Sequence, residues 1–228
     1  MALDLKYRNV GNRPLLDLIR TKPGRALDCG CGAGDNARLL VERGWKVTGV
    51  TNDPAELTAA REFCEMVHFG DLTAGLPFAE DASYDLVLLS HILEHLADPV
   101  CLLAEARRVV AVDGLVAVAL PNVLHYSQRA KFLRGQFEYT RTGLMDVTHL
   151  RFFTFDSART LVSTNGFDVV TALPDGGLPW WRLRNVLSAD VTGRLDLWAS
   201  RRQPNLLSRQ AVFLARPTSQ PSGVSGQA

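Results

Sequence analysis

The chain has 228 residues, 46% of them apolar and 21% charged, enough to bury one substantial core, which excludes disordered, collagen-like and fibrous classes. With 25 basic against 24 acidic side chains the formal charge is +1, so no global field points to nucleic acid as a partner. Cysteines at 29, 31, 64 and 101 make no disulfide framework and no charged-then-apolar leader opens the sequence. No apolar run approaches the roughly 18 residues of a membrane helix, so a cytoplasmic protein without a transmembrane segment is expected.

From Arg25 to about Thr171 short apolar runs alternate with amphipathic stretches, the pattern of strands and helices wound into a parallel sheet. Strands are predicted at Arg25 to Asp28, Lys46 to Val50, Met66 to Phe69 and Asp85 to Leu89, with helices at Asp35 to Arg43 and Pro54 to Phe63 between them. The fourth strand is nearly all apolar, as for a central strand covered on both faces. Asp98 and Pro99 start a helix reaching Val110, and Gly114 opens a fifth strand ending at Pro121. From Asn122 to Arg151 the period disappears, which suits an acceptor cover. A capped helix from Thr154 to Asn165 and a strand from Phe167 to Leu173 follow, then a helical addition over 174–208 and a last strand from Ala211 to Ala215. The tail from Pro217 is rich in Pro, Ser, Gly and Gln and is expected to be disordered, leaving one domain over 1–216 with its core at 25–173.

The informative segment is Asp28-Cys29-Gly30-Cys31-Gly32-Ala33-Gly34-Asp35, which joins a strand to a helix. Glycines let the backbone approach a ligand closely. A dinucleotide fingerprint would place its third glycine where Asp35 stands, and an acidic residue there repels a pyrophosphate. Asp28 suits a ligand with positive charge and an amino group.

These residues resemble the first motif of class I methyltransferases that use S-adenosylmethionine, a likeness extending roughly from Arg25 to Leu173. The resemblance implies an α/β, Rossmann-like, seven-stranded and mostly parallel sheet with helices on both faces. It implies that Asp28, Gly30, Cys31, Gly32 and Gly34 hold the cofactor and that Asp71 and Leu72 meet the adenine. The carboxylate that usually grips the ribose is replaced by Thr51. Branches similar to cyclopropane-fatty-acid synthases also carry Thr there with a polar residue five positions on, which points to Thr51, Asn52 and Glu56 at the ribose, with Ser90 completing the set.

Methyl transfer from a sulfonium is an in-line displacement that needs alignment and water exclusion, and a hydroxyl acceptor also calls for a base. Ser90-His91-Ile92-Leu93-Glu94-His95 leaves the fourth strand where this family brings cofactor and acceptor together. His91 reads as a general base or as a strand-end cap. A cation held by His91, Glu94 and His95 is a third reading, since a similar Glu-x-x-Glu-His stretch binds one in some quinone O-methyltransferases. Hard cations prefer all-oxygen sites and His91 departs from that pattern, so no metal is assigned. The same string matches an inverted zinc-protease motif, against which its place after a Rossmann-like strand argues.

Gly143 to Thr154, preceded by Tyr139, resembles methyltransferases acting on sugars or polysaccharide precursors. In it Asp146 would orient His149 as the base and Arg151 would hold an anionic part of the substrate, or all three would tie the loop to the next helix. His125 and Tyr126 line the acceptor cavity or start an exposed helix. Trp180, Trp181, Leu183, Val186, Leu187, Leu195 and Trp198 make a buried helical layer, a lid, a homodimer surface or a shallow membrane contact. The expectation is an S-adenosylmethionine-dependent methyltransferase, with O-methylation of a saccharide or glycosylated metabolite ahead of an aromatic or quinone-like hydroxyl. A non-catalytic cofactor-binding protein stands as the alternative from another class.

Overall fold

The computed structural model describes residues 10–179 and 188–218. A short helix α1 (Arg13–Leu16) precedes β1 (Arg25–Cys29), α2 (Asp35–Val41), β2 (Lys46–Thr51), α3 (Pro54–Ala60), β3 (Met66–Phe69), β4 (Tyr84–Ser90), α4 (Pro99–Val109) and β5 (Val110–Pro121). Then come α5 (Tyr126–Leu133), α6 (Phe155–Thr164), β6 (Phe167–Gly176), α7 (Ala189–Arg202), α8 (Pro204–Leu207) and β7 (Ser208–Pro217). The seven strands form one sheet in the order β3-β2-β1-β4-β5-β7-β6. β7 runs antiparallel to both its neighbours, while the pairs from β3 across to β5 are parallel.

Successive strand side chains point to opposite faces. Val87 and Leu89 of β4 and Val116, Val118 and Leu120 of β5 join one apolar cluster with α4 and α6. Leu86, Leu88, Leu115, Ala117 and Ala119 join a second, with α1 and α2. Helices cover both faces, so the central strands lack polar alternation. The chain leaves β1 toward β2 and β3 and later fills the other side from β4 onward, and a ligand crevice belongs at the carboxyl ends of two such diverging strands.

Several boundaries differ from the sequence reading. β5 starts at Val110, β6 reaches Gly176 and β7 spans Ser208 to Pro217; antiparallel pairing with β7 carries β6 through Pro174 and Asp175, where propensity alone ends it. Pro217 is therefore a strand residue, while 219–228 lie outside the described residues. The expected cover contains α5, whose buried residue is Gln128, so no apolar stripe announced it. Trp180, Trp181, Leu183, Val186 and Leu187 lie outside the described residues. Trp198 on α7 is 59% exposed rather than buried, because α7 turns Thr192, Asp196, Ala199 and Ser200 inward.

Candidate active site

The carboxyl ends of β1, β2 and β4 open into a cleft of about 1140 Å³, at the upper end of small-molecule sites. The glycine loop makes one wall. Its Gly30 and Cys31 amides donate to the Val50 carbonyl at 3.0 and 2.9 Å, clamping the loop to β2. Gly30 has φ +77°, and a Cβ there would stand 2.7 Å from Ile92 Cδ1, so the turn is closed to larger residues. Gly30, Cys31, Gly32, Thr51, Asn52, Glu56, Asp71, Leu72, Ser90, His91, Asp146 and His149 all line the cleft.

Asp28 and Gly34 do not line it. Asp28 is fully buried beside the loop, and neither carboxylate oxygen has a hydrogen-bond partner. Burial alone raises its pKa from 3.8 to about 7, because desolvation penalises the charged form. Next to it the Cys31 thiol is pushed up by a hydrogen bond with Cys64, by burial and by Asp28. Gly49 pairs in register with Asp28, and a Cβ on it would lie 2.7 Å from Cys31 Sγ and 3.2 Å from Cys64 Sγ. Gly34 ends the loop as the N-cap of α2.

On the second wall the Thr51 hydroxyl donates to Glu56 Oε2 at 3.0 Å, so the two residues that replace the missing ribose carboxylate meet. Asp71 caps the Leu72–Ala74 turn, accepting from Thr73 N at 2.8 Å. That bond, and one from the Thr73 side chain, lower its pKa. The loop-capping role is thus real, and the carboxylate still lines the cleft.

The third wall is polar and rich in histidine. His91 follows β4 with φ +54°, a left-handed conformation uncommon for non-glycine residues and a mark of local strain. Its Nδ1 lies 3.2 Å from Glu94 Oε1 and its Nε2 2.9 Å from Gln210 Oε1. Both ring nitrogens thus face side-chain oxygens. Burial works against charge on His91, but the Glu94 and Gln210 bonds and the Asp175 charge outweigh it and raise its pKa. Gln210 in turn donates to Asn12 Oδ1 at 3.2 Å and Asp175 Oδ2 at 2.7 Å, while Asn12 Nδ2 reaches Ser90 Oγ at 3.3 Å.

Asp146 accepts from the Thr148 amide at 2.8 Å and from its hydroxyl at 2.7 Å. The Thr148 hydroxyl oxygen lies 3.0 Å from His95 Nδ1. Asp146 therefore orients His95 through Thr148, and the His149 ring is held by the Leu144 carbonyl, 3.3 Å from Nδ1. Burial raises the Asp146 carboxyl, but the Thr148 bonds bring it below its usual value. His149 is lowered, chiefly by burial. Arg151 donates to the Ala97 carbonyl at 2.6 Å, so it ties its segment to the turn before α4 rather than to the helix that starts at Thr154. The Glu94 carbonyl accepts from the Leu150 and Arg151 amides at 2.8 and 3.0 Å, which brings the 140–151 segment onto the turn after β4.

His125 also lines the cleft and is 2% exposed. Burial, then the Arg209 charge, drops its pKa from 6.5 to about 4. The folded protein refuses a proton that the unfolded chain accepts, so stability falls as pH drops from about 6.5 toward 4, by roughly 3 kcal/mol. In urea titrations at about pH 7 and pH 4.5, His125→Gln should lose stability less steeply than the parent; parallel losses would contradict this environment.

Among the cleft residues that escaped the sequence reading are Asn12, Asp175, Arg209 and Gln210. Asn12 had a local signal, a capping residue with Pro14 in the first turn of α1. The others sit on edge-side strands with no motif around them.

Part of the chain matches a known family. Residues 27–118 match the family described as a methyltransferase domain. The match covers well under half of the chain, the part that holds the glycine loop and the strands from β1 to β5. The chain is 33% identical over 127 residues to trans-aconitate 2-methyltransferase of Rhizobium meliloti, covering 52% of this chain and 48% of that protein. It is 35% identical over 113 residues to malonyl-[acyl-carrier protein] O-methyltransferase of Serratia marcescens, covering 48% and 43%. The matched part thus spans about half the length of these curated relatives or less. A S-adenosylmethionine-dependent methyltransferase from Archaeoglobus fulgidus shares the fold with a TM-score of 0.61 at 21% identity, over 85% of this chain and 86% of that one. Among the described residues no helix is long and apolar enough to cross a membrane. The matched stretch ends at residue 118, before the 140–151 segment, so the histidine wall combines residues inside and outside it.

Proposed function

We propose that the protein is a S-adenosylmethionine-dependent O-methyltransferase acting on a hydroxyl of a saccharide or glycosylated metabolite. The carrying observation is that one cleft joins the glycine loop, Thr51 and Asp71 to a wall made by His95, Asp146 and His149. The residues fit the cofactor: the loop closes on β2 without side chains in the way, the Thr51–Glu56 pair presents oxygen to a ribose, and Asp71 and the Leu72 amide suit an aminated ring. When bound, the cofactor supplies a methyl group on a sulfonium.

With that cofactor bound, an acceptor hydroxyl that took the methyl group would have to lose its proton, which calls for a proton acceptor in the cleft. The Nδ1 atoms of His95 and His149 face oxygen acceptors, so each Nε2 carries the lone pair. His149 thus presents a proton acceptor, and Asp146, acting through Thr148 and His95, positions the wall. His91, bonded to Glu94 through Nδ1 and to Gln210 through Nε2, holds both in place. Trans-aconitate and a malonyl group are carboxylates, ionised at neutral pH without a base. A wall of imidazole lone pairs beside Glu94 and Asp146 suits a neutral hydroxyl better than an anion.

Calorimetry with S-adenosylhomocysteine, followed by labelled methyl transfer to saccharide, aromatic-hydroxyl and carboxylic acceptors, tests this reading. Heat of binding and label on the saccharide are expected. Thr51→Val and Asp71→Ala should each weaken the cofactor about 10-fold, the worth of one hydrogen bond. Label on a carboxylate would overturn the acceptor class, heat without transfer to any acceptor would leave a binding protein, and no heat would end the proposal.

A further inference from the structure

Glu94 is a fully buried carboxylate that lines the cleft. His91 occupies its Oε1, and its Oε2 has no hydrogen-bond partner. A buried carboxylate oxygen left unpaired is costly unless something cationic completes it. One ligand atom from each of Glu94, His95 and His149 lies within 4.8 Å of the other two, and the two imidazoles meet edge to face with centroids 4.8 Å apart.

Both rings are prepared in the same way. His149 Nδ1 lies against the Leu144 carbonyl at 3.3 Å, and His95 Nδ1 against the Thr148 carbonyl at 3.2 Å and the Thr148 hydroxyl at 3.0 Å. That hydroxyl gives its own proton to Asp146 Oδ1, so toward His95 it accepts. Each ring therefore keeps its proton on Nδ1 and exposes a lone pair at Nε2. Metal-ligating histidines show this arrangement, their second nitrogen donating to a carbonyl or, through a relay, to a carboxylate.

We propose that Glu94, His95 and His149 form a binding site for a divalent transition-metal ion. Two imidazoles and one carboxylate select an ion of the Zn²⁺ type over Mg²⁺ or Ca²⁺, which take oxygen ligands. His91 and Thr148 hold the ligands from behind. Three protein ligands leave coordination positions toward the cleft, and on the O-methylation reading an acceptor hydroxyl would take one. Coordination then acidifies the hydroxyl, its proton passing to solvent water, and the His149 lone pair serves through the ion rather than as a free base. Only this role rests on that reading; ion binding does not.

The protein, stripped with a chelator, is titrated with Co²⁺ under visible absorption and with Zn²⁺ in competition with a chromophoric chelator. One ion per chain is expected, with ligand-field bands and no thiolate charge-transfer band. His149→Ala and Glu94→Gln should each weaken Zn²⁺ at least about 10-fold, while Cys101→Ser leaves it unchanged. Circular dichroism establishes that the variants fold; if one does not, the parent's Co²⁺ spectrum decides between nitrogen–oxygen and sulfur ligation. No saturable uptake by the parent, a thiolate spectrum, or undiminished uptake in folded variants would overturn the site. Calorimetry with S-adenosylhomocysteine on the same samples separates the two proposals: cofactor heat without ion uptake removes the metal site alone, and ion uptake without cofactor heat removes the methyl-transfer reading alone.

Discussion

Replacing Asp28 by Asn should stabilise the protein in a strongly pH-dependent way. The unfolded carboxyl ionises near 3.8, whereas the folded one keeps its proton until about pH 7. For an acid whose folded pKa is raised, stability is greatest below the unfolded value and is lost as pH climbs to the folded one, by roughly 1.4 kcal/mol per unit. From about pH 5 to pH 8 the parent should therefore lose roughly 3 kcal/mol relative to Asp28→Asn, whose side chain does not titrate. The constant cost of burying an amide with unpaired groups, about 1–3 kcal/mol, offsets the two curves without changing their slopes. Urea unfolding across that range measures it, and equal slopes would show that the carboxyl is ionised when folded. The ionised form is the one that a cation on the adjacent loop favours, so cofactor affinity should rise with pH in the parent and stay flat in the variant. An unpaired acid here lowers stability in the empty protein, as expected of a group kept for binding.

Gly34→Ala should be strongly destabilising, because its contacts include the backbone of α3. Gly34 has φ +87°, and an added Cβ would stand 3.1 Å from Ala60 Cα and 3.1 Å from Phe63 Cδ2. The left-handed backbone costs a non-glycine residue about 1–2 kcal/mol, and displacing the end of α3 adds overpacking of about 1–3 kcal/mol. A loss of roughly 2–5 kcal/mol is expected, together with weaker cofactor binding as the loop shifts. Gly135→Ala provides the comparison: its φ is +73° with nothing within 4 Å of the new Cβ, so only the backbone cost applies. Chemical denaturation of the two variants side by side reads the difference, and identical losses would mean that α3 gives way freely.

The sequence by itself determined the repeating strand and helix order through β5, the glycine loop and the apolar central strands. Each of these is a local pattern: residues 26 to 29 or 86 to 89 report the burial of their own element, and a capping residue followed by proline reports a helix start. Which polar side chains meet depends on how the chain folds back on itself. Asn12 joins Gln210 across 198 positions of chain, and the Glu94 carbonyl receives the 150 and 151 amides. His95 rather than His149 receives Asp146 through Thr148, although the sequence places Asp146 nearer to His149. Such meetings are set by how the sheet orders its strands and by where the 140–151 segment lands, and they leave no period or spacing in the residues themselves. The same reason explains α5 and Trp198: a helix that buries little, and an aromatic that faces outward, carry no local signal that packing could have written.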